Sequence, residues 1–425
     1  MKMLIAAMMV ANIAFASTPR VDETRLFVQI KDQLPKHELI KNAKHLFKNF
    51  YVLETTNASK LAKAIESQVV MTEKNYYAGG SKLPSPEVSK ELPSFENFNA
   101  FNDPQVDRIW SFKDGSENGV SVNKSYLAPL NIEKEEIIVA VVDTGVDYNH
   151  EDLKGNMWVN EGEIPGNGID DDNNGYIDDV HGIDTLDRVN GVATGDPMDT
   201  HSHGTHVSGT IGAVQNNGVG IAGIASRVKI MAIRTVPNSS DETDVDVVES
   251  FLYAAKHGAK LINCSFGKTH NEGGMIVNET IDHIGQTYGV LVVAAAGNES
   301  SDNDRSPKYP ASFDSDFLLV VASTTSGGSL SSFSNYGKRT VDIAAPGSSV
   351  FSTVPGNRYS SMSGTSMATP TTVGVAAEVL SHFPELSPIE LKKSLMDSVT
   401  PVDKFKEKMI SGGRVDLFNT LQSQL

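Results

Sequence analysis

Six apolar runs of strand length, at residues 137–142, 228–234, 261–265, 290–295, 318–322 and 341–343, alternate with stretches of helical pattern. Short runs rich in Val, Ile and Ala suit strands buried on both faces, and their alternation with helices predicts a parallel sheet covered on two sides. The expected core of the chain is therefore a three-layer α/β domain. A buried helix is expected over 367–380, where small residues predominate. A last amphipathic helix is expected after Ser387-Pro388-Ile389-Glu390, which combines an N-cap, a first-turn proline and a capping-box acid.

Three strings carry chemistry: Asp143-Thr144-Gly145, His203-Gly204-Thr205-His206, and Gly364 to Pro370 with Ser366 inside it. A serine hydroxyl is a weak nucleophile at neutral pH. Acyl transfer through it needs a histidine to take the proton and a carboxylate to fix that histidine's tautomer. The chain order Asp, His, Ser is one of the three orders known for such triads. An aspartic peptidase would need a second Asp-Thr-Gly, and only one copy exists. His203 and His206 lack the His-Glu-x-x-His spacing of zinc peptidases.

These segments resemble those of the subtilisin-like serine peptidases, the subtilases, over roughly residues 100–400. The resemblance implies that Asp143 orients His203, that His203 is the base and that Ser366 is the nucleophile. Residues 292–298, Val-Val-Ala-Ala-Ala-Gly-Asn, are similar to the family's oxyanion segment, which makes Asn298 the oxyanion donor beside the Ser366 N–H. Residues 260–267 resemble the strand that pairs with an extended substrate. By that match the strand end Ser265-Phe266-Gly267 binds peptide backbone, with Phe266 either a wall of an apolar side-chain pocket or plain core, and Ala294, Ala295, Ala296 and Gly297 wall the primary side-chain pocket. No acidic cluster of furin type is present, so dibasic specificity is not expected.

An insertion at 164–195 contains Asp170-Asp171-Asp172-Asn173-Asn174-Gly175-Tyr176-Ile177-Asp178. Oxygen ligands at positions 1, 3, 5, 7 and 9 with glycine at 6 follow a calcium loop of EF-hand type, giving Asp170, Asp172, Asn174, the Tyr176 carbonyl and Asp178. Position 12 is His181, so one further ligand must come from elsewhere. A second calcium site is implied by the resemblance of 214–223 to a family loop, with Asp152 and Asn217 as its side chains. Calcium is thus the expected cofactor, in a structural role.

Residues 1–16 have a Lys, an apolar run and a small-residue exit, the composition of a secretory signal. The run is too short to span a membrane. Residues 17–78 read as a small α+β unit, with strands at 26–30, 49–54 and 69–77 and helices at 37–46 and 58–67. It resembles the subtilase propeptide, of ferredoxin-like fold, which in the family assists folding and then inhibits the enzyme. Residues 79–100, rich in Gly, Ser and Pro, form the expected linker with the processing region, and 101–425 the catalytic domain.

Charge divides the chain in the same place. Residues 1–100 hold 13 Lys and Arg against 10 Asp and Glu, leaving 23 against 43 for the remainder. The two parts, at +3 and −20, should attract one another. An acidic catalytic unit argues against nucleic acid as a partner. One cysteine, Cys264, excludes an intrachain disulfide and reads as a small buried hydrophobe. The sequence thus points to a secreted, monomeric serine endopeptidase acting on proteins and peptides and made as an inactive precursor. A catalytically silent peptide-binding or inhibitory relative is the competing expectation.

Overall fold

The computed structural model describes residues 19–79, 83–87, 100–272 and 274–425. The signal read at 1–16 and most of the linker fall outside the described residues.

The amino-terminal unit is a four-stranded antiparallel sheet backed by one helix. Its strands are β1 (Val21–Ile30), β2 (Asn42–Phe47), β3 (Phe50–Glu54) and β4 (Val69–Tyr76), in the order β2-β3-β1-β4, with α1 (Ala58–Ile65) between β3 and β4. The helix expected over 37–46 does not form. Residues 42–47 pair antiparallel with β3 instead, joined by a tight turn in which Lys48 takes a left-handed φ of 46°. Pro35 and the local hairpin outweigh the helical spacing, and Leu39 and Ile40 pack from a loop.

One face of this sheet (Leu26, Val28, Leu53) closes on Leu61 and Ile65 of α1. The other face offers Phe27, Phe47, Phe50 and Val52 to the larger domain.

The larger domain runs α2 (Val122–Leu127), β5 (Ile137–Asp143), β6 (Gly182–Val189), β7 (Val192–Thr194), α3 (His203–Gly212), β8 (Val228–Arg234), α4 (Asp244–Lys256), β9 (Leu261–Cys264), α5 (Gly274–Tyr288) and β10 (Leu291–Ala295). It continues through β11 (Leu318–Thr324), β12 (Ile343–Pro346), β13 (Val350–Val354), β14 (Arg358–Met362), α6 (Thr365–His382), α7 (Pro388–Asp397), β15 (Thr400–Pro401), β16 (Gly413–Arg414) and α8 (Leu417–Gln422). Ten strands form one sheet in the order β15-β16-β12-β11-β10-β9-β5-β8-β6-β7. Every neighbouring pair from β12 to β6 is parallel.

The period-two alternation of the strands builds two cores. Val139, Val141, Leu291, Val293, Leu319 and Val321 face α3 and α6. Ala140, Val142, Val292, Ala294, Val320 and Ala322 face α4 and α5. This is the three-layer arrangement expected from the runs.

The sequence reading missed the hairpin β13–β14 and the strands inside the acidic insertion. There, Gly182 lets β6 lie against β8, since a Cβ on it would stand 1.8 Å from the Ala232 carbonyl oxygen. The capping box at Ser387 and Glu390 opens α7 as expected. Among the described residues no helix is long and apolar enough to cross a membrane.

Candidate active site

Asp143 ends β5, and His203 opens α3 beside it. His203 Nδ1 lies 2.7 Å from Asp143 Oδ1, and both side chains are fully buried. Asp143 Oδ1 also accepts the Thr144 N–H at 2.7 Å. With Nδ1 carrying the proton toward the carboxylate, Nε2 keeps its lone pair. It has no hydrogen-bond partner among the described residues.

Close approach of helix to strand requires Gly204, where a Cβ would stand 2.0 Å from the Gly145 carbonyl oxygen and 3.1 Å from Asp143 Cβ. Asp199, which the sequence reading passed over, holds this junction together. Its Oδ1 accepts Thr144 Oγ1 and the His201 and Ser202 N–H groups, and its Oδ2 accepts the N–H and Oγ1 of Thr205. An acid four residues before the histidine was the available signal. His206 plays a different part. Burial pushes its imidazole down to about 3, and Nε2 lies 2.9 Å from the Val350 carbonyl, so it is a neutral core group.

Ser366 is the second residue of α6, whose N-terminus favours developing negative charge. Its Oγ donates to the Ser265 carbonyl at 3.0 Å, and Ser265 Oγ returns a bond to the Ser366 carbonyl. The hydroxyl is thus bonded to the residue that follows β9 and not to the free Nε2. Beside it, Asn298 Oδ1 accepts Thr365 N–H at 2.8 Å and Thr365 Oγ1 at 3.0 Å. Because a backbone N–H can only donate, the amide oxygen is fixed and the NH₂ group is turned to the other side. That amide nitrogen lies 3.7 Å from where a Cβ on Gly364 would be, next to the Ser366 N–H.

A pocket beside Ser366 is lined by Ser265, Phe266, Gly267, Ala295, Gly297 and Asn298. Ala294 and Ala296 point the other way, into the core under α4 and α5, because neighbouring strand residues face opposite sides. Phe266 serves both wall and core. The sequence reading missed Glu299 and Lys308, an ion pair at 3.5 Å in the same pocket. A second pocket, between Glu242–Asp244, Gly267 and Phe313, is lined also by Ala78 of the amino-terminal unit. Tyr77 bridges antiparallel to Thr243, and the Ala78 N–H donates to the Glu242 carbonyl at 2.9 Å.

A model of the Subtilase family, peptidase S8, matches residues 134–413, a span containing Asp143, His203, Asn298 and Ser366. This chain belongs to the subtilase family. Subtilisin-like protease 1 of Plasmodium berghei (strain Anka) is 34% identical over 307 residues, 68% of this chain and 50% of that protein. Thermitase of Thermoactinomyces vulgaris is 36% identical over 285 residues, 67% of this chain and 88% of that protein. The chain spans about half the length of the Plasmodium relatives. The crystal structure of fervidolysin from Fervidobacterium pennivorans, a keratinolytic enzyme related to subtilisin, matches with a TM-score of 0.72 at 24% identity. The match covers 95% of this chain and 61% of that one, and it establishes a shared fold.

In the subtilase's acidic loop two of the expected acids come together with one that was not expected. Carboxylate oxygens of Asp170 and Asp172 meet one from Glu163, all within 4.8 Å of one another. Asp178 turns away, its carboxylate accepting the N–H groups of Gly166, Asn167 and Gly168. Asn174 Oδ1 accepts the Tyr176 N–H, and the Tyr176 hydroxyl donates to Glu249. Glu163 lies seven residues before the loop begins, outside any twelve-residue register, which is why the spacing did not reveal it.

In the second loop, Asn217 Nδ2 donates to Asp152 Oδ1 at 2.8 Å, and Ile221 N–H donates to Oδ2. Burial, with the Asp103 carboxylate nearby, pushes Asp152 up to about 6. Cys264 is fully buried, and burial pushes its thiol up.

Proposed function

We propose that this subtilase is an exported serine endopeptidase, made as a precursor that its own active site trims. The Asp143–His203 pair, whose Nε2 is left free beside the Ser366 helix, is the observation that carries this reading. Ser366 Oγ would turn from the Ser265 carbonyl to Nε2 once substrate displaces that bond. His203 would take its proton as Oγ attacks the scissile carbonyl, while Asp143 holds the imidazolium. The Asn298 amide and the Ser366 N–H would receive the oxyanion. His203 would then protonate the leaving amine, and water would release the acyl group by the reverse steps.

Docking of the amino-terminal unit supports an inhibitory propeptide. Glu73 accepts the N–H groups of Met275 and Ile276 at the start of α5, and Asn75 Oδ1 accepts Val245 N–H at the start of α4. Phe47 stacks on His283 at 4.5 Å, and Arg25 and Lys44 pair with Asp246 and Glu249. These ion pairs match the opposite net charges of the two parts. Export rests on the composition of residues 1–16.

Calcium suits the first acidic loop. Three carboxylates this close repel one another, a cation among them would offset that repulsion, and hard oxygen ligands suit calcium. Glu163, Asp170 and Asp172 would hold it, stiffening the insertion that carries β6 and β7. Asp152 and Asn217 are the candidates for a second ion.

Expression of parent and Ser366→Ala side by side tests the reading. The parent should shorten by about 60–85 residues after signal removal, as a cut within the linker requires, and should then digest casein. Ser366→Ala should stay at precursor length and be inert. Identical trimming of both in a protease-free host would refute self-processing, and an inert parent would favour the silent relative.

A further inference from the structure

Beyond β4, described residues of the amino-terminal part meet the catalytic domain at two places. The first is at Tyr77 and Ala78, which pair with Thr243 and Glu242. The second is at residues 83–87, where Pro84 lies over Gly364. A Cβ on that glycine would stand 2.7 Å from Pro84 Cγ. Beyond it, the Glu87 N–H donates to the Ser361 carbonyl at 2.7 Å. In acyl transfer the residues downstream of the cut depart with the amine. Chain direction therefore puts Glu87 on the leaving-group side.

There its carboxylate meets two hydroxyls. Ser363 Oγ lies 2.5 Å from Glu87 Oε1, and Ser349 Oγ lies 3.5 Å from Oε2. Ser363 Oγ already accepts the Ser349 N–H at 2.8 Å, so its own hydrogen is available to point into the cleft. Ser349 adopts a left-handed φ of 50°, a conformation that aims its N–H at Ser363. With one lone pair already engaged, the Ser363 hydrogen is left for an acceptor such as the Glu87 carboxylate. Charge-assisted bonds from such donors are shorter and stronger than neutral ones.

We propose that Ser349 and Ser363 form a leaving-group-side subsite that selects an acidic side chain in peptide substrates, with Glu87 as its occupant in the precursor. The proposal rests on the peptidase reading for its substrate. It adds that cuts are favoured where an Asp or Glu follows at one fixed downstream position.

Two measurements test it. In the first, parent and Ser363→Ala digest a mixed peptide library, and the residues flanking each cut are sequenced. Asp and Glu should be enriched roughly fivefold at a single downstream position in the parent, the size of one partly exposed bond to a charged group. Ser363→Ala should bring that position to background while cutting peptides with Ala there as fast as the parent. No acidic enrichment in the parent, or enrichment that survives in Ser363→Ala, overturns the proposal.

The second measurement needs no catalysis. Amide exchange at Glu87 is followed in the full-length Ser366→Ala precursor, with and without Ser363→Ala. Exchange should quicken roughly fivefold when the hydroxyl is lost, and unchanged exchange overturns the proposal. A chain that cuts nothing leaves this second readout standing, so failure of the peptidase reading and failure of the subsite are told apart.

Discussion

Replacing Asn298 separates catalysis from stability in a way the local bonding dictates. Its Oδ1 accepts two bonds from Thr365, a buried residue, and in the proposed mechanism its NH₂ receives the oxyanion. Asn298→Ala removes both functions. It leaves the Thr365 N–H without its acceptor, a cost of about 1–3 kcal/mol, and it deletes an oxyanion donor. Asn298→Asp keeps an acceptor for Thr365 and adds a negative charge at the N-terminus of α6, where charge of that sign is favoured. It should therefore fold about as stably as the parent.

Both variants should lose at least about 10²–10³ in kcat, or about 3–4 kcal/mol of barrier, the loss seen for the matching donor in subtilisin itself. KM should stay within about threefold, because the donor acts on the transition state. The assay is kcat and KM on a chromogenic peptide after each precursor has been trimmed in trans by the parent, with unfolding followed by calorimetry. An Asn298→Asp enzyme within tenfold of parental kcat would refute the assignment. So would equal stability losses in the two variants.

Other outcomes follow from the same geometry. Burial, with Asp241 and Asp244 nearby, pushes Glu242 up to about 8 from an ordinary 4.5. The folded precursor thus holds that proton more tightly than the unfolded chain. The resulting stability is full below pH 4.5 and lost as pH rises through 8, so Glu242→Gln should raise the precursor's melting temperature at pH 8.5 and leave it unchanged near pH 4.5. A chelator should lower the melting temperature of the parent, because an ion bound only by the folded state stabilises it. Glu163→Gln with Asp170→Asn should abolish most of that response, and an identical melt with and without chelator would remove the metal. Gly204→Ala should cost about 1–3 kcal/mol by overpacking against Gly145 and lower kcat by displacing His203, read as paired melting and rate measurements.

What the sequence made legible was local. Asp143, His203, Asn298 and Ser366 each sit in a short segment whose own pattern fixes a strand end or helix start, and the six apolar runs announced the sheet. Features that depend on a distant partner stayed hidden. Residues 42–47 became a strand because β3 lies beside them, and Ala294 and Ala296 turned to the core because alternation left only Ala295 for the pocket. Glu163 joined Asp170 and Asp172 through a loop closure that no spacing rule describes. Glu87 meets Ser349 and Ser363 across more than 250 residues of chain, a contact only the folded cleft creates.

The central claim is that Asp143 and His203 activate Ser366. Mature protein treated with a fluorophosphonate and mapped by mass spectrometry tests it most directly. The account predicts one adduct, on the peptide containing Ser366, at a rate that collapses in His203→Ala. An unlabelled Ser366, or labelling that proceeds as fast without the imidazole, would contradict it.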